Sequence, residues 1–412
     1  MPVYGSSYWA PTKARAATRA PRPARVTLPK GDLTADVVVI GGGFTGCAAA
    51  YCLAQAGLDV VLLEADGLAS GATERSIGAI LPVPDVSLGD AGTLVGKRAA
   101  RVAFTELQKS AVDLASTLKR LKIRCDLAST PLFINGPFTN DAALLQKELK
   151  ARSALGLDAT WLAQPGATRE LATETQGAMK VRGASVVHPV KTALGFAEAA
   201  RKKGARIFEN ARVKKTTFTR TDVTIVLAGT TITARGVVAA TGTPGPVFHQ
   251  LDRHVRTTQG YAVVTDPLTP AMRKRVGKRN GVYTEFTESP RFVRWLSDHR
   301  ALCAGLTGPA VSAKLRTTAV TQRANQLMYE LSLRYPDISG IPPAFGWDLS
   351  IVTTADGLPW IGTHRNYPFH FFSLAFGWHG EAMGWLAARA ATRYFLGKAT
   401  KDDALLGFTR AL

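Results

Sequence analysis

Cysteines and long apolar runs are scarce in this chain of 412 residues, which has only four cysteines: Cys47, Cys52, Cys125 and Cys303. No C-x-x-C pair occurs, so the cysteines argue against a disulfide framework and favour a reducing, cytoplasmic setting. No apolar run reaches about 18 residues, so no transmembrane helix is predicted. No Ser-His-Asp or metal-ligating constellation stands out either, and we expect no bound metal.

Acidic residues are also few: 31 Asp and Glu face 51 Lys and Arg, for a formal net charge of +20. Basic clusters occur at residues 201–206, 212–215 and 273–279. Such a field could attract nucleic acid, an anionic membrane or an acidic substrate. Because no aromatic residues alternate with the basic ones, we favour a solvated surface, and nucleic acid stays open as an alternative partner.

Residues 1–32 are predicted to form an extended arm. Acids are absent from residues 1–31, as in a transit peptide, but the prolines there prevent a long amphipathic helix. Tyr4, Tyr8 and Trp9 are expected to anchor the arm on the protein surface.

What the chain does contain is a strand–turn–helix–strand pattern at residues 35–65. Residues 37–40 form an apolar β-branched run, and Gly41-Gly42-Gly43-Phe44-Thr45-Gly46 then supplies G-x-G-x-x-G. An Ala-rich helix ends at Gly57, and a second strand at 60–63 ends on Glu64. This combination indicates a dinucleotide-binding turn.

Each residue of that turn has a physical role. Gly41 permits the tight turn, Gly43 lets a pyrophosphate approach the backbone, and Gly46 lets the helix pack on the strand. Free N–H groups at the helix start, including those of Phe44 and Thr45, hold phosphate. Glu64 is placed to accept hydrogen bonds from a ribose diol.

The rest of the chain alternates helical and strand-like segments. Helices are predicted at 96–121, 141–155, 189–203, 318–335 and 381–396. Strands are predicted at 205–208, 223–226, 231–233, 237–240, 261–265, 282–286, 292–296, 302–304, 347–353, 360–362 and 369–374. We therefore predict an α/β fold: a Rossmann-like domain of discontinuous segments (33–95, 177–245 and 346–412) with an inserted antiparallel-sheet substrate domain (96–176 and 246–345).

The order of several short motifs makes the chain resemble a known family. They are Ser7-Tyr8-Trp9, Ala69-Ser70-Gly71-Ala72-Thr73-Glu74-Arg75, Val187-His188-Pro189, Ala239-Ala240-Thr241-Gly242, Ala355-Asp356-Gly357-Leu358-Pro359-Trp360-Ile361-Gly362 and Ala375-Phe376-Gly377-Trp378-His379-Gly380. They resemble the FAD-dependent amine and D-amino acid oxidase family, in its glycine and sarcosine oxidase branch. The similarity is greatest to the γ-glutamylputrescine oxidase-like group.

This resemblance implies non-covalent FAD and oxidation of a C–N bond in an amine or amino acid. Hydride passes to the flavin, the imine hydrolyses, and oxygen or another acceptor reoxidises the cofactor. The expected cofactor-binding residues are Gly41, Gly43, Phe44, Thr45, Gly46, Glu64, Ala65, Ser70, Gly71, Ala72, Thr73, Arg75, Val213, Thr241, Gly242, Gly357, Leu358, Gly377, Trp378, His379, Gly380 and Glu381.

Four residues are candidates for catalysis and substrate contact: Tyr261, Arg291, Arg294 and His379. Because Arg291 and Arg294 are three residues apart on a strand, only one of them can face the substrate. Two alternatives stay open: an FAD enzyme acting on modified tRNA, and the flavin subunit of a heteromeric amine dehydrogenase.

The chain departs from the family pattern at three places. Ser76-Ile77 replaces the first two residues of the usual Asn-Gly-Gly. Residues 381–383 lack the Lys that binds a substrate carboxylate in sarcosine-oxidase-like members. Residues 301–305 lack the Lys that promotes reaction with oxygen in those members.

Overall fold

The computed structural model describes residues 2–10, 28–136, 141–276, 281–287 and 289–411, and within them twenty β-strands and ten α-helices are numbered here in chain order. The strands are β1 Val3–Tyr4, β2 Gly31–Ile40, β3 Val60–Leu63, β4 Ala79–Ile80, β5 Ala128–Ser129, β6 Leu132–Asn135, β7 Ala159–Ala163, β8 Gly177–Val181, β9 Ser185–Val186, β10 Arg206–Phe208, β11 Lys215–Phe218, β12 Val223–Val226, β13 Thr230–Gly242, β14 Arg256–Thr265, β15 Val282–Glu285, β16 Phe292–Trp295, β17 Ala301–Gly308, β18 Pro343–Thr353, β19 Trp360–His364 and β20 Tyr367–Leu374. The helices are α1 Phe44–Gln55, α2 Ala72–Arg75, α3 Leu88–Val95, α4 Lys97–Arg120, α5 Asp141–Ser153, α6 Gln164–Leu171, α7 Pro189–Lys202, α8 Pro270–Arg275, α9 Arg316–Arg334 and α10 Gly380–Phe395.

An eight-stranded sheet forms the predicted Rossmann-like unit. Its central strands run parallel in the order β10-β3-β2-β13, and β20 continues the parallel arrangement beside the end of β13. The central strands β2 and β3 bury continuous Val, Ile and Leu runs, as expected for a parallel sheet covered on both faces. The predicted α/β fold class is therefore confirmed.

Helix α1 packs tightly against this sheet because of Gly46. A Cβ at that position would lie 1.7 Å from the carbonyl oxygen of Gly41. The Ala-rich face of α1 shares a buried cluster with α7 and α10. The first turns of α10 and α1 lie close together, because a Cβ at Gly384 of α10 would be 2.5 Å from Thr45 Oγ1.

A nine-stranded, mostly antiparallel sheet forms the second layer, in the order β1-β18-β14-β17-β16-β15-β6-β8-β7. One face buries residues such as Tyr261, Val263 and Cys303 against α9. The other face contributes Ala262, Phe292 and Leu349 to a different cluster, which also contains Trp378. The second face is thus the one turned toward the Rossmann-like unit.

Residues 2–10 dock on the protein through their aromatic side chains, as predicted. Val3 and Tyr4 pair in parallel with β18, and the Trp9 indole donates to the carbonyl oxygen of Ser76 at 2.8 Å. The Tyr8 hydroxyl donates to Asp298 at 2.9 Å. Residues 11–27, which include most of the basic part of the predicted arm, lie outside the described residues, as do Lys278 and Arg279 of the third basic cluster.

Several elements differ from the sequence expectations. The predicted strands 231–233 and 237–240 form one strand, β13, because β2 pairs along most of its length. Strands β5 to β9 were not predicted, since they are short and lack alternation of apolar and polar residues. Strands β8 and β18 belong to the nine-stranded sheet, so a domain division that follows the sheets would shift the proposed boundaries at 177 and 346.

No helix in the described part of the chain is long and apolar enough to cross a membrane.

Candidate cofactor and active site

A cavity of about 700 Å³ opens at the carboxyl ends of the parallel strands. Ile40 at the end of β2, Leu63 at the end of β3 and Ala240 near the end of β13 all line it. Ligands of open α/β sheets bind at this edge, where loops diverge after neighbouring strands. The cavity also reaches Leu349 and Ile351 of β18, so it lies between the two sheets.

The glycine turn is shaped by close backbone contacts. Gly41 has φ +107°, and a Cβ there would lie 2.6 Å from the carbonyl oxygen of Ala240. The backbone N–H of Gly42 donates to Glu64 Oε2 at 2.6 Å, and Glu64 Oε1 accepts from the N–H of Asp66 at 2.9 Å. Glu64 therefore holds the turn while it also lines the cavity.

The N-terminus of α1 points a partial positive charge at this cavity. Its N-cap, Gly43, makes no side-chain capping bond, and the N–H of Phe44 donates to Thr73 Oγ1 at 2.8 Å. The N–H groups of a first helical turn have no intrahelical partner, so that of Thr45 is available to an anion. The arrangement suits a pyrophosphate.

Another part of the cavity wall is formed by the turn before α10. Gly377 has φ +57°, and a Cβ there would lie 1.7 Å from Asp85 Oδ2. That same oxygen accepts the backbone N–H of Trp378 at 2.9 Å, and Asp85 Oδ1 lies 2.5 Å from His379 Nε2. Asp85 thus fixes a turn that only glycine permits.

A buried polar group lies beside this turn. The Ser76 hydroxyl donates to Glu381 Oε1 at 2.7 Å, and burial raises the pKa of the Glu381 carboxyl. Arg294 Nη1 donates to the carbonyl oxygens of Ile77 at 2.9 Å and Val187 at 3.3 Å, and also to that of Gly78. Burial lowers the pKa of Arg294 to about 10, so its guanidinium is charged at neutral pH.

Most of the predicted cofactor-binding residues line the cavity, and five do not: Gly46, Arg75, Gly357, Leu358 and His379. Gly46 supports the turn from behind, as its contact with Gly41 shows. Arg75 turns to Asp348 instead, with Nη1 3.1 Å from Oδ1. The carbonyl oxygen of Leu358 accepts from Thr354 and Arg410, at 2.8 and 2.6 Å.

None of the four predicted catalytic residues lines this cavity. Tyr261 packs on the α9 face of the nine-stranded sheet, and Arg291 Nε donates to Glu330 of α9 at 2.6 Å. The structure therefore contradicts the prediction that Tyr261 and Arg291 face the substrate. Because side chains alternate along a strand, these two point to α9 and away from the cavity. Arg294 lies on the opposite face from Arg291, beside a second cavity of about 250 Å³.

Several lining residues were missed from the sequence. Asp66, Arg212 and Lys214 follow β3 and β10, residues 243–248 follow β13, Ser76 and Ile77 follow α2, and residues 349–352 belong to β18. The rule that loops after parallel strands line the ligand site could have identified the first two groups. No local signal marks β18, which reaches the cavity only through the packing of the two sheets.

Comparison with known proteins agrees with this geometry. The family model DAO, described as FAD dependent oxidoreductase, matches residues 36–394. Gamma-glutamylputrescine oxidoreductase of Escherichia coli (strain K12) is 25% identical over 378 residues, which are 90% of this chain and 86% of that protein.

Solved structures share the fold. Glycine oxidase from Geobacillus kaustophilus superposes with a TM-score of 0.71 at 20% identity, covering 90% of this chain and 96% of that one. L-amino acid deaminase from Proteus myxofaciens gives 0.77 at 15% identity, covering 95% and 96%. The two-sheet architecture therefore belongs to a known fold.

Proposed function

The chain belongs to the DAO family of FAD-dependent oxidoreductases, and from that premise we propose that it oxidises a C–N bond of an amine or amino acid. The observation that carries this proposal is one cavity with a pyrophosphate-binding turn at Gly43–Thr45 and a helix N-terminus at Gly380. The relatives named above support the substrate class, because their names refer to an amine derivative and to amino acids.

The residues present fit FAD. The glycine turn leaves room for a pyrophosphate, Glu64 is placed for a ribose, and the cavity continues to the α10 turn. Bound FAD supplies the hydride acceptor. The N-terminal dipole of α10 stabilises negative charge at its end of the cavity.

We propose that the cofactor is bound non-covalently. Among the described residues that line the cavity there is no Cys, His or Tyr that could form a covalent link. The four cysteines lie elsewhere, and burial raises the pKa of the Cys303 thiol to about 12. A thiol held in its protonated form is a poor nucleophile.

The apolar wall of the cavity assists the chemistry. Ile77, Leu349, Ile351 and Trp378 surround the end beside α10. An apolar wall excludes water and lowers the pKa of a bound ammonium group, which favours the neutral amine. Because the nitrogen lone pair assists loss of hydride from the adjacent carbon, only the neutral amine reacts. The protein therefore assists the reaction by orienting the bound amine and by excluding water from it.

We propose that oxygen reoxidises the reduced flavin, and another electron acceptor is the alternative. The test is anaerobic mixing of the purified protein with amines, amino acids, alcohols and hydroxy acids, followed by flavin absorbance. Bleaching by amines or amino acids supports the proposal, and bleaching only by alcohols or hydroxy acids contradicts it. Reoxidation by air after bleaching then tests oxygen against an artificial dye.

A further inference from the structure

Side chains from distant parts of the chain fix the path of residues 75–78, which follow α2. This segment contains Ser76-Ile77, where the chain departs from the family pattern, and both residues line the cavity. Four consecutive backbone carbonyl oxygens of the segment accept hydrogen bonds from side chains. The Trp347 indole donates to the first at 3.0 Å, the Trp9 indole to the second at 2.8 Å, and Arg294 Nη1 to the third and fourth.

Trp9 supports this part of the cavity wall in two ways. Its indole N–H gives the buried carbonyl oxygen of Ser76 a donor, and a buried carbonyl oxygen without a donor costs free energy. Its ring packs in the same apolar cluster as Ile77, Ile351 and Trp378, all of which line the cavity. Trp9 itself does not line the cavity, so it acts on the wall from behind.

The direction of the Trp9 indole is itself fixed by its surroundings. Trp9 is 6% exposed, and its ring meets that of Tyr8 edge-on at 4.9 Å between centroids and lies 5.0 Å from that of His188. The Tyr8 hydroxyl donates to Asp298, and the backbone N–H of the residue after Trp9 donates to Ser7 Oγ at 3.1 Å. Residues 7–10 therefore present the indole N–H to Ser76 from a packed position.

Ser76 connects Trp9 to the first turn of α10. While its carbonyl oxygen accepts the indole N–H, its hydroxyl donates to Glu381 Oε1 at 2.7 Å and accepts the backbone N–H of Gly78 at 3.1 Å. A shift of the Ser76 backbone would therefore disturb the contact with α10 as well as the adjacent wall at Ile77.

We propose that Trp9 is a positioning residue of this cavity: its indole N–H holds the Ser76 carbonyl oxygen and thereby sets the cavity wall at Ser76 and Ile77. Its effect on turnover rests on the proposed function, because it assumes that an amine or amino acid is oxidised in this cavity. Its effect on the surroundings of the cofactor does not. A small misplacement of the groups around reacting atoms slows a reaction steeply, so loss of the indole N–H should reduce the rate.

The first experiment compares the visible circular dichroism of FAD bound to wild type and to Trp9→Phe. Phenylalanine keeps an aromatic ring in the apolar cluster but has no N–H for Ser76. The control is Trp360→Phe, because the buried Trp360 indole also donates to a backbone carbonyl oxygen at 2.8 Å, that of His254, and does not line the cavity. Both variants lose one buried hydrogen bond, so a general loss of stability affects both. Only Trp9→Phe should change the flavin spectrum.

A second replacement keeps the test decisive if Trp9→Phe fails to fold or to retain FAD. Benzothienylalanine, inserted in place of Trp9 by nonsense suppression, has the shape of tryptophan with sulfur instead of the indole N–H. It should change the flavin spectrum in the same way. A wild-type spectrum with this residue overturns the proposal.

The second experiment measures anaerobic flavin reduction at a saturating concentration of amine or amino acid. The limiting rate should fall by about tenfold in Trp9→Phe and stay near the wild-type value in Trp360→Phe. A changed flavin spectrum together with a slower limiting rate supports the proposal, and wild-type behaviour of Trp9→Phe in either measurement overturns it. If no amine or amino acid reduces the flavin of wild type, the proposed function fails, and the flavin spectrum alone decides the role of Trp9.

Discussion

The imidazole of His379 lies against the carboxylate of Asp85, with 2.5 Å between Nε2 and Oδ1. The other carboxylate oxygen of Asp85 accepts the backbone N–H of Trp378 at 2.9 Å. These contacts tie the turn before α10 to the loop before α3. Because His379 does not line the main cavity, we assign it a positioning role through this pair.

Asp85→Ala should therefore weaken FAD binding by about tenfold, because the N–H of Trp378 loses its acceptor and the turn is no longer held. Asp85→Asn should lose less FAD affinity, since its amide oxygen can still accept the N–H of Trp378. The measurement is the FAD dissociation constant, and the control is Glu106→Ala on α4, where Glu106 pairs with Lys109. Equal affinity in Asp85→Ala and wild type would show that the turn is held by other contacts.

Gly43→Val should abolish FAD binding without unfolding the protein. Gly43 has φ −73°, which any residue can adopt, but its Cβ would lie 3.1 Å from Thr73 Oγ1 and its methyl groups would occupy the space for the pyrophosphate. The measurement is flavin released per protein, together with the melting temperature. Gly89→Ala in α3, where the nearest atom is 3.8 Å from the new Cβ, is the matched control. A variant that still carries FAD would contradict the proposed pyrophosphate position.

The part of the site formed by consecutive residues was predictable from sequence. The turn from Gly41 to Gly46 is local, and its spacing specifies strand, turn and helix together. The pairs Asp85–His379 and Ser76–Glu381 join residues 294 and 305 positions apart, and no local pattern marks such partners.

Strand periodicity predicts the relative orientation of Arg291 and Arg294, but not which of them faces the Rossmann-like unit. Alternation required Arg291 and Arg294 to point to opposite faces, and the structure confirms this. Which face turns toward the Rossmann-like unit depends on how the two sheets pack, so Tyr261 and Arg291 were assigned to the wrong side. The sequence carried no signal for that choice.

Acid should destabilise the protein through His188. Burial lowers its pKa to about 4, and its Nδ1 accepts the N–H of Lys191 at the start of α7. Between about pH 4 and the ordinary value of 6.5, the unfolded chain binds more protons than the folded one. Stability therefore rises with pH across this window, by at most about 3 kcal/mol.

His188→Asn tests this assignment, because Asn also caps helices but does not titrate. The measurement is the free energy of unfolding from pH 4 to 7 in both proteins. The free energy of unfolding of the variant should depend less on pH between about pH 4 and 6.5 than that of the wild type. An unchanged slope would mean that another group causes the acid sensitivity.

Reaction with oxygen should depend on Arg294. Residues 301–305 contain no Lys, and Arg291 faces α9, so Arg294 is the buried cation beside Ile77 and Glu381 that could stabilise negative charge on reduced oxygen. Arg294→Met should slow reoxidation by air by about tenfold while an artificial dye reacts at the wild-type rate. Arg294→Lys keeps the charge and should restore part of the rate.

Arg291→Ala removes the same type of side chain from the opposite face and is the control. The measurement is recovery of flavin absorbance after anaerobic reduction and admission of air or dye. If Arg294→Met and Arg291→Ala both reoxidise at the wild-type rate in air, the oxygen site does not depend on this cation.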